Sequence, residues 1–389
     1  MRWLMRSRGL CLTVLCVLLV GCSASRGAAS SPVAGGLPRE EPAAPAAEAK
    51  APAEAKAPAI KAMAAGGEYS VVLGHDGTIW AWGENERGQL GDGTTTARSA
   101  PVQVRGLSNI TALSAGVDHT VALRQDGIVW SWGDNSRGQL GDWTNRERVA
   151  PVQVPGVSHV TALAAGHSFT VVLRQDGTVW AWGDNDMGQV GDGTRRRRAA
   201  PKQVLGLSQV IALAAGYGFA VALRQDGTVW VWGRTPGAVD YLPPVQVPGL
   251  SGVTALAAEQ SKAMALRQDG TVWSFSPSRE YTGSLAYSAE QVPGLSNVTR
   301  LAAAGRLLVV LRQDGTVWTW DTSGGQRGPA PVQVPGLEQV TAVAGGRGHI
   351  LALKRDGTLW GWGSNAKGQL GAGTPNRSQT PVRVPGLGD

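Results

Sequence analysis

Histidine and aspartate are the side chains in this 389-residue chain that are best suited to chemistry, and neither type is spaced for it. His119 and His349 occupy one recurring position, which other copies of the same segment fill with Tyr69, Phe169, Phe219, Lys262 and Leu307. A position that accepts phenylalanine and leucine is structural. The aspartates that precede glycine recur identically, which favours a turn over catalysis. Metalloprotease, phosphate-loop and dinucleotide motifs do not occur in the sequence. The sequence therefore predicts that the protein is not an enzyme and uses no metal or cofactor.

The thiol of Cys22 is the remaining reactive group. All three cysteines, Cys11, Cys16 and Cys22, lie near the N-terminus, so the rest of the chain has no thiol for a disulfide or a metal site. Three arginines precede an apolar run from Leu10 to Val20, and this run is short for a membrane span. A basic segment followed by an apolar one is typical of an export signal.

The run ends in Leu-Val-Gly-Cys, residues 19–22, which resembles the lipobox of bacterial lipoproteins. The resemblance implies cleavage before Cys22 and acylation of its thiol and its new amino group. An ordinary signal peptide with an incidental cysteine, or a retained anchor, is the alternative. We expect residues 1–21 to be a signal peptide and the protein to be lipid-anchored in a bacterial cell envelope, outside the cytoplasm.

Residues 22–59 form a second region, which is almost entirely Ala, Pro, Gly, Ser, Glu and Lys after the cysteine. This composition cannot bury enough apolar surface to offset the entropy of ordering, so we expect a disordered tether. Its average reach is about 35 Å if it behaves as a coil. The formal charge is +7 and falls to +4 without the three arginines of the signal, which is mildly basic and predicts no nucleic-acid partner.

From residue 60 to residue 389 the chain repeats itself seven times. The Asp-Gly pairs begin at residues 76, 126, 176, 226, 269, 314 and 356. Each unit reads as four short strands, and in the third unit these begin with Val160–Gly166, Thr170–Arg174 and Thr178–Trp182. Asp-Gly between β-branched runs predicts a type I′ hairpin turn, with positive φ at both central residues. Seven such units indicate a repeat architecture.

The side chains of the units predict how the sheets pack. The residues of the first strand have small side chains, which suits a position near a central axis. The two tryptophans of the third strand project from one face because they are two residues apart. Valine and alanine cover the opposite face, so both faces can be buried. We therefore predict an all-β, seven-bladed β-propeller of four-stranded blades. An open solenoid is the alternative, but the chain has no polar capping unit.

Three recurring motifs resemble the regulator of chromosome condensation repeat. They are Ala-Gly-x-x-His-Thr-x-x-Leu (115–123), Asp-Gly-x-Val-Trp-x-Trp-Gly-x-Asn, and Gly-Gln-Leu-Gly-Asp-Gly-Thr (88–94). The resemblance implies a seven-bladed propeller. The guanine-nucleotide exchange of the founding member acts on a nuclear GTPase, and we do not expect it in an exported protein. Units four to six depart from the third motif, at residues 234–241, 276–289 and 321–328.

Two local features are candidates for a partner-binding site. Trp143 stands where the matching loops have glycine, and it belongs to no Trp-x-Trp pair, so its indole is either exposed or packed on its own blade. The other feature is basic: the loops of units two and three hold Arg146, Arg148, Arg195, Arg196, Arg197 and Arg198. These loops belong to neighbouring blades, and Trp and Arg often dominate protein interfaces. A solvated loop is the plain alternative for the arginine run.

These observations predict a membrane-tethered, monomeric propeller that binds a protein with an acidic surface, as a scaffold or as an inhibitor of an exported protein. A propeller that binds glycans or the cell envelope is the alternative function. Lectin propellers repeat an aromatic and polar pocket from blade to blade, and the sequence shows no such pocket outside the core tryptophans.

Overall fold

The computed structural model of the chain describes residues 59–233, 242–258, 262–279, 285–322, 329–373 and 376–388. Cys22, the signal segment and nearly all of the tether lie outside the described residues, as do most of the irregular segments of units four to six. Among the described residues, no helix is long and apolar enough to cross a membrane.

The described strands form seven antiparallel sheets of four strands, and each sheet takes its strands in chain order. Blades 1 to 4 are built from β1 (Ile60–Ala65), β2 (Tyr69–Gly74), β3 (Ile79–Gly83) and β4 (Arg98–Val104); β5 (Ile110–Ala115), β6 (His119–Arg124), β7 (Val129–Gly133) and β8 (Arg148–Gln153); β9 (Val160–Ala165), β10 (Phe169–Arg174), β11 (Val179–Gly183) and β12 (Arg198–Gln203); and β13 (Val210–Ala215), β14 (Phe219–Arg224), β15 (Val229–Gly233) and β16 (Leu242–Gln246). Blades 5 to 7 are built from β17 (Val253–Ala258), β18 (Ala263–Arg267), β19 (Val272–Arg279) and β20 (Leu285–Gln291); β21 (Val298–Ala304), β22 (Leu307–Arg312), β23 (Val317–Asp321) and β24 (Val332–Gln333); and β25 (Val340–Gly345), β26 (His349–Lys354), β27 (Leu359–Ser364) and β28 (Arg377–Arg383).

The first strands of all seven blades surround one axis. Each packs against the first strand of the next blade, and β25 of blade 7 packs against β1 of blade 1, which closes the ring. Small residues at the ends of these strands, such as Ala65, Ala115 and Ala165, allow seven backbones to approach the axis. The predicted all-β, seven-bladed propeller is therefore confirmed, and the solenoid is excluded.

The core consists of seven apolar layers, one between each pair of adjacent blades. Trp130 and Trp132 of blade 2 both pack in the layer shared with blade 1, so the two indoles do lie on one face of the strand. In the closing layer, Ile60 of blade 1 packs with Val384 and Leu387 from the C-terminal end. Burial of apolar surface between blades thus holds the ring together.

Four of the seven seams carry an additional polar contact within the described residues, which we call the latch. The second tryptophan of a blade donates its indole N–H to the backbone carbonyl of the glutamine in the Gly-Gln-Leu/Val-Gly loop of the preceding blade. In blade 3, Trp182 donates to Gln139 over 2.9 Å. At the closing seam, Trp82 donates to Gln369 over 2.8 Å. The loop that carries the family resemblance is therefore an inter-blade contact.

The Asp-Gly hairpins differ from the predicted type I′ turn. Gly177 N donates to Arg174 O, Arg174 N donates to Thr178 O, and only the glycine of this turn has positive φ, at 76°. This is a type I turn followed by a left-handed glycine that forms a bulge. The prediction was wrong because Asp176 does not need positive φ: its Oδ1 accepts hydrogen bonds from the amide and hydroxyl of Thr178 instead.

The two ends of the propeller differ. One end, which we call the mouth face, carries the connections between first and second strands and the beginnings of the loops after third strands. In blade 1 these two segments are joined by a hydrogen bond from Glu84 N to Glu68 O. The opposite end, which we call the turn face, carries the Asp-Gly hairpins and the connections between blades. There, Ala59 O accepts from His75 N. Gly388, near the other end of the chain, lies beside Gly357 on this same face.

Candidate functional site

The loops after the third strands are held by a repeated buried network. In blade 2, Asn135 is fully buried, its Nδ2 donates to Asp142 Oδ1 over 2.9 Å, and its Oδ1 accepts from Leu140 N over 3.0 Å. Asp142 also accepts from Arg148 Nε over 2.8 Å. Although burial opposes it, hydrogen bonds from Thr144 and Arg148 hold the pKa of Asp142 below its ordinary value. The loop backbone is thus rigidly positioned before any partner is considered.

Two of the predicted binding arginines belong to this network. Arg148 pairs with Asp142, and Arg198 pairs with Asp192, in each case with N–O distances of 2.6 Å. Arg98 makes the same contact with Asp92 in blade 1. Both carboxylates are largely buried. These arginines hold their own loops closed, which a guanidinium does well because it binds a carboxylate through two N–H groups.

Arg197 takes part in an ion-pair cluster on the mouth side of blades 2 and 3. It lies 2.8 Å from Asp186 and 3.4 Å from Asp184, and Arg137 of blade 2 reaches Asp186 at 3.1 Å. Most of these side chains are substantially exposed, so each pair contributes less than about 1 kcal/mol to stability.

The other predicted arginines point to solvent. Arg146, Arg195 and Arg196 are exposed. Arg195 is engaged with another group. The guanidinium groups of Arg146 and Arg196 make no ion pair with any residue that the structure describes. They are the cations of this group that are best placed to meet a partner.

Trp143 lies where the loop of blade 2 contacts the start of β12 in blade 3. Its side chain is 66% exposed, and its backbone has φ of 66°, in the left-handed region. Its amide donates to Ala199 O over 2.9 Å, which places it beside the start of β12 and Arg198. A Cβ built on Gly156 would lie 3.9 Å from Trp143 Cζ2, so the indole is exposed and also rests on the connection that follows its own blade. The structure therefore brings the two predicted loops together.

A second feature, the mouth of the central channel, was not predicted from the sequence. Its rim residues directly follow the glycine at the end of the first strand: Gly67, Val117, His167, Tyr217 and Arg347. His167 and Tyr217 meet edge to face, with ring centroids 4.5 Å apart. The variation at this one position, inside an otherwise constant segment, is the signal that could have indicated an exposed rim.

Carboxyl groups surround the mouth on the side of blades 1 to 3. Burial, together with the charges of Glu84 and Asp134, raises the pKa of Asp118 to about 6. Burial lowers the pKa of His167, and Arg347 lowers it further, so the imidazole is neutral near pH 7. No group of three or more His, Cys, Asp or Glu residues in the described part of the chain is arranged to hold a metal ion.

The comparisons with known proteins agree with this fold. The sequence matches the RCC1-like domain over residues 17–275, and the regulator of chromosome condensation (RCC1) repeat over residues 340–369 and 356–389. No curated protein matches the sequence.

Solved structures give further matches. Human WBSCR16 is similar with a TM-score of 0.68 and 22% identity, over 79% of this chain and 93% of that one. Prp20p from Saccharomyces cerevisiae, whose binding properties to Gsp1p and histones are described with its structure, has a TM-score of 0.67 and 23% identity over 79% and 85% of the two chains. Yeast RCC1 (Prp20) bound to Kap60 also has a TM-score of 0.67, with 20% identity over 89% and 91%. At these identities the likeness establishes the fold.

The closed ring of four-stranded blades and the latches define a seven-bladed propeller of repeated units. The chain belongs to the RCC1-like domain family.

This membership corrects one prediction. The lack of catalytic motifs predicts that the protein is not an enzyme, but the family includes yeast RCC1. Nucleotide exchange, the activity of the family's founding member, forms and breaks no covalent bond, so it requires none of those motifs. An enzyme-like activity is within the range of the family, and the exclusion of enzymes was wrong.

Proposed function

We propose that this protein is a membrane-tethered, extracytoplasmic propeller that binds another protein through the loops of blades 2 and 3. RCC1-like propellers bind proteins, as yeast Prp20p does. The proposed partner presents an acidic surface, and the complex serves as a scaffold or inhibits an exported protein.

The conformation of Trp143 is the observation that carries this proposal. The matching positions in three other loops are Gly93, Gly193 and Gly373, with φ of 86°, 77° and 60°. Glycine adopts this conformation freely, whereas a tryptophan there carries strain of about 1–3 kcal/mol. Three sister loops fold without that strain, so the fold does not require Trp143. A strained, exposed aromatic side chain on a rigid loop is typical of an interface anchor.

The charge around Trp143 defines the kind of partner. Arg146 and Arg196 are exposed and form no ion pair within the described residues, whereas Arg148 and Arg198 are held by their own loops. We therefore assign direct contacts to Trp143, Arg146 and Arg196, with Arg195 and Arg197 contributing to the field. Cations around an apolar anchor attract carboxylates on a partner and accelerate association, and salt weakens this effect.

A comparison of Trp143→Gly with the wild-type protein tests the site. Because glycine relieves the strain, the free energy of unfolding of the variant should equal that of the wild-type protein or exceed it by about 1 kcal/mol. Its affinity for a partner captured from envelope extract should fall about tenfold or more, as expected for an anchor. Charge reversal at Arg146 and Arg196 should slow association, while Arg355→Glu, at an exposed position in the Asp-Gly hairpin of blade 7, is the matched control. Unchanged binding by both variants would show that the partner binds at another surface. Selective binding on a glycan array would show that the ligand is a glycan and not a protein.

The tether depends on Cys22. Its position after Leu-Val-Gly at the end of the apolar run supports acylation there. Cys22→Ala should release the protein from membranes or leave it unprocessed, as measured by detergent-phase partitioning and the mass of the N-terminal peptide. Normal cleavage with unchanged partitioning would contradict lipidation without affecting the proposed binding surface.

A further inference from the structure

The mouth of the central channel opens into two adjoining cavities of different character. The axial cavity, about 110 Å³, is lined by alanines and glycines of the first strands and rimmed by Val117, His167, Tyr217 and Arg347. The second cavity, about 350 Å³, is lined mostly by charged groups, including Glu68, Asp118 and Arg347. Gly67, Val117 and Arg347 line both, so the two cavities adjoin at these residues.

The axial cavity suits a small apolar group. Its lining is mostly Cα and Cβ atoms, and Tyr217 and His167 form an aromatic wall at its rim. For comparison, an apolar cavity of about 150 Å³ binds benzene. An aliphatic side chain of three or four carbons is therefore of the appropriate size.

The second cavity holds charges of both signs that lack ion-pair partners. Neither Arg347 nor the carboxylates of Glu68 and Asp118 form an ion pair with any described residue, in contrast to nearby Glu84 and Glu86, which share Lys367. Asp118 is buried beside Glu84 and Asp134, which raises its pKa to about 6, while the charges of Arg87 and Arg347, which line the same cavity, oppose this rise. Among the described residues, neither guanidinium lies within ion-pair distance of the Asp118 carboxylate, and Arg87 pairs with Glu147 instead, so Asp118 lacks a paired cation. An ammonium group would supply that cation, and a carboxylate would pair with Arg347.

We propose that the channel mouth binds a small zwitterion of the α-amino-acid class. Its carboxylate pairs with Arg347, its ammonium group with Asp118 and Glu68, and its aliphatic side chain enters the axial cavity beside Tyr217. This site is separate from the surface around Trp143 and requires no protein partner.

Calorimetric titration of the purified protein with L-leucine, L-leucinamide and N-acetyl-L-leucine tests the proposal. Leucinamide lacks the carboxylate and N-acetyl-leucine lacks the ammonium group, so each should bind at least tenfold more weakly than leucine. Arg347→Gln should weaken leucine binding but not leucinamide binding, and Asp118→Asn should weaken leucine but not N-acetyl-leucine.

Arg105→Gln, on the turn face, is the matched control and should leave all three affinities unchanged. The comparison of the three ligands on the wild-type protein remains decisive even if a variant fails to fold. Absence of leucine binding at millimolar concentration, or equal affinity for leucine and leucinamide, would overturn the proposal.

Discussion

His119 and Thr170 lie on adjacent blades and join them through one hydrogen bond, with His119 Nε2 3.1 Å from Thr170 Oγ1. The threonine hydroxyl donates to Gln139 O, so it accepts from a protonated Nε2. His349 makes the same bridge to Ser70 over 2.8 Å at the closing seam. At the seam between blades 3 and 4 the same two positions are apolar. Phe169 replaces the histidine, Ala220 replaces the threonine, and both are buried.

These buried histidines should make the protein acid-sensitive. Burial lowers the pKa of His119 and His349 to about 4, from 6.5 in an unfolded chain. The stability that this provides is fully present above pH 6.5 and is lost as the pH falls to 4, by roughly 3 kcal/mol for each histidine. In the variant His119→Phe/Thr170→Ala, which copies the pair in blade 3, the decrease should be smaller by the contribution of His119, about 2–3 kcal/mol. Denaturant unfolding at pH 7.5 and pH 4.5 measures it. The exposed-residue variant His75→Gln is the control, and an unchanged decrease in the double variant would show that other groups cause it.

The latch should contribute measurable stability. Trp182→Phe removes the N–H that donates to Gln139 O, whereas Trp362 N–H has no partner among the described residues. Trp182→Phe should lower the free energy of unfolding by about 1–2 kcal/mol more than Trp362→Phe does, because only the first removes a buried hydrogen bond. Equal effects in urea unfolding would mean that ring size alone matters.

Substitution of the turn glycine should separate the effect of backbone strain from the effect of a steric clash with the neighbouring connection. Gly177→Val places a β-branched residue at φ of 76°, and its Cβ would meet Gln209 N at 3.0 Å. Gly227→Val has the same strain, but the nearest atom, Gly252 N, is 3.5 Å away. Both should lower thermal stability through strain of about 1–3 kcal/mol, and Gly177→Val should lower it more. A larger loss at Gly227 would show that the close approach of Gln209 to the turn does not matter.

The aspartate of the same turn should tolerate asparagine. Asp176→Asn keeps the Oδ1 that accepts from Thr178 and loses only the exposed ion pair with Arg174, at 3.2 Å. The free energy of unfolding should change by less than about 1 kcal/mol. Loss of a binding activity at unchanged stability would show that these aspartates do more than shape turns.

The closing seam should depend on the C-terminal residues. Leu387 and Val384 are fully buried beside Ile60. Leu387→Ala should lower the free energy of unfolding by about 2–5 kcal/mol, and deletion of residues 381–389 should open the ring. Val332→Ala, at a side chain that is 62% exposed, is the control. Full thermal stability of the truncated chain would contradict closure through this seam.

The fold was predictable because each unit repeats the same local pattern, and the spacing of Trp180 and Trp182 fixes which face is buried. The contacts between units were not, because the sequence does not say that Gln139 presents its carbonyl to Trp182 of the next blade. At the candidate site, the sequence singled out Trp143 because glycine is its counterpart. It could not separate Arg146 from Arg148, since only the folded loop places Asp142 against one of them.

The contact between Trp82 and Gln369 at the closing seam matches the contact at three seams within the chain, so the closing seam is built like a seam between consecutive blades. The order of the blades along the chain can therefore be changed without changing the contacts between blades. A circular permutant that joins Gly388 to Ala59 by a short linker and begins at Gly106, in the exposed connection before blade 2, retains every latch and every apolar layer. The order in which the blades are synthesised can change while the surface around Trp143 stays the same.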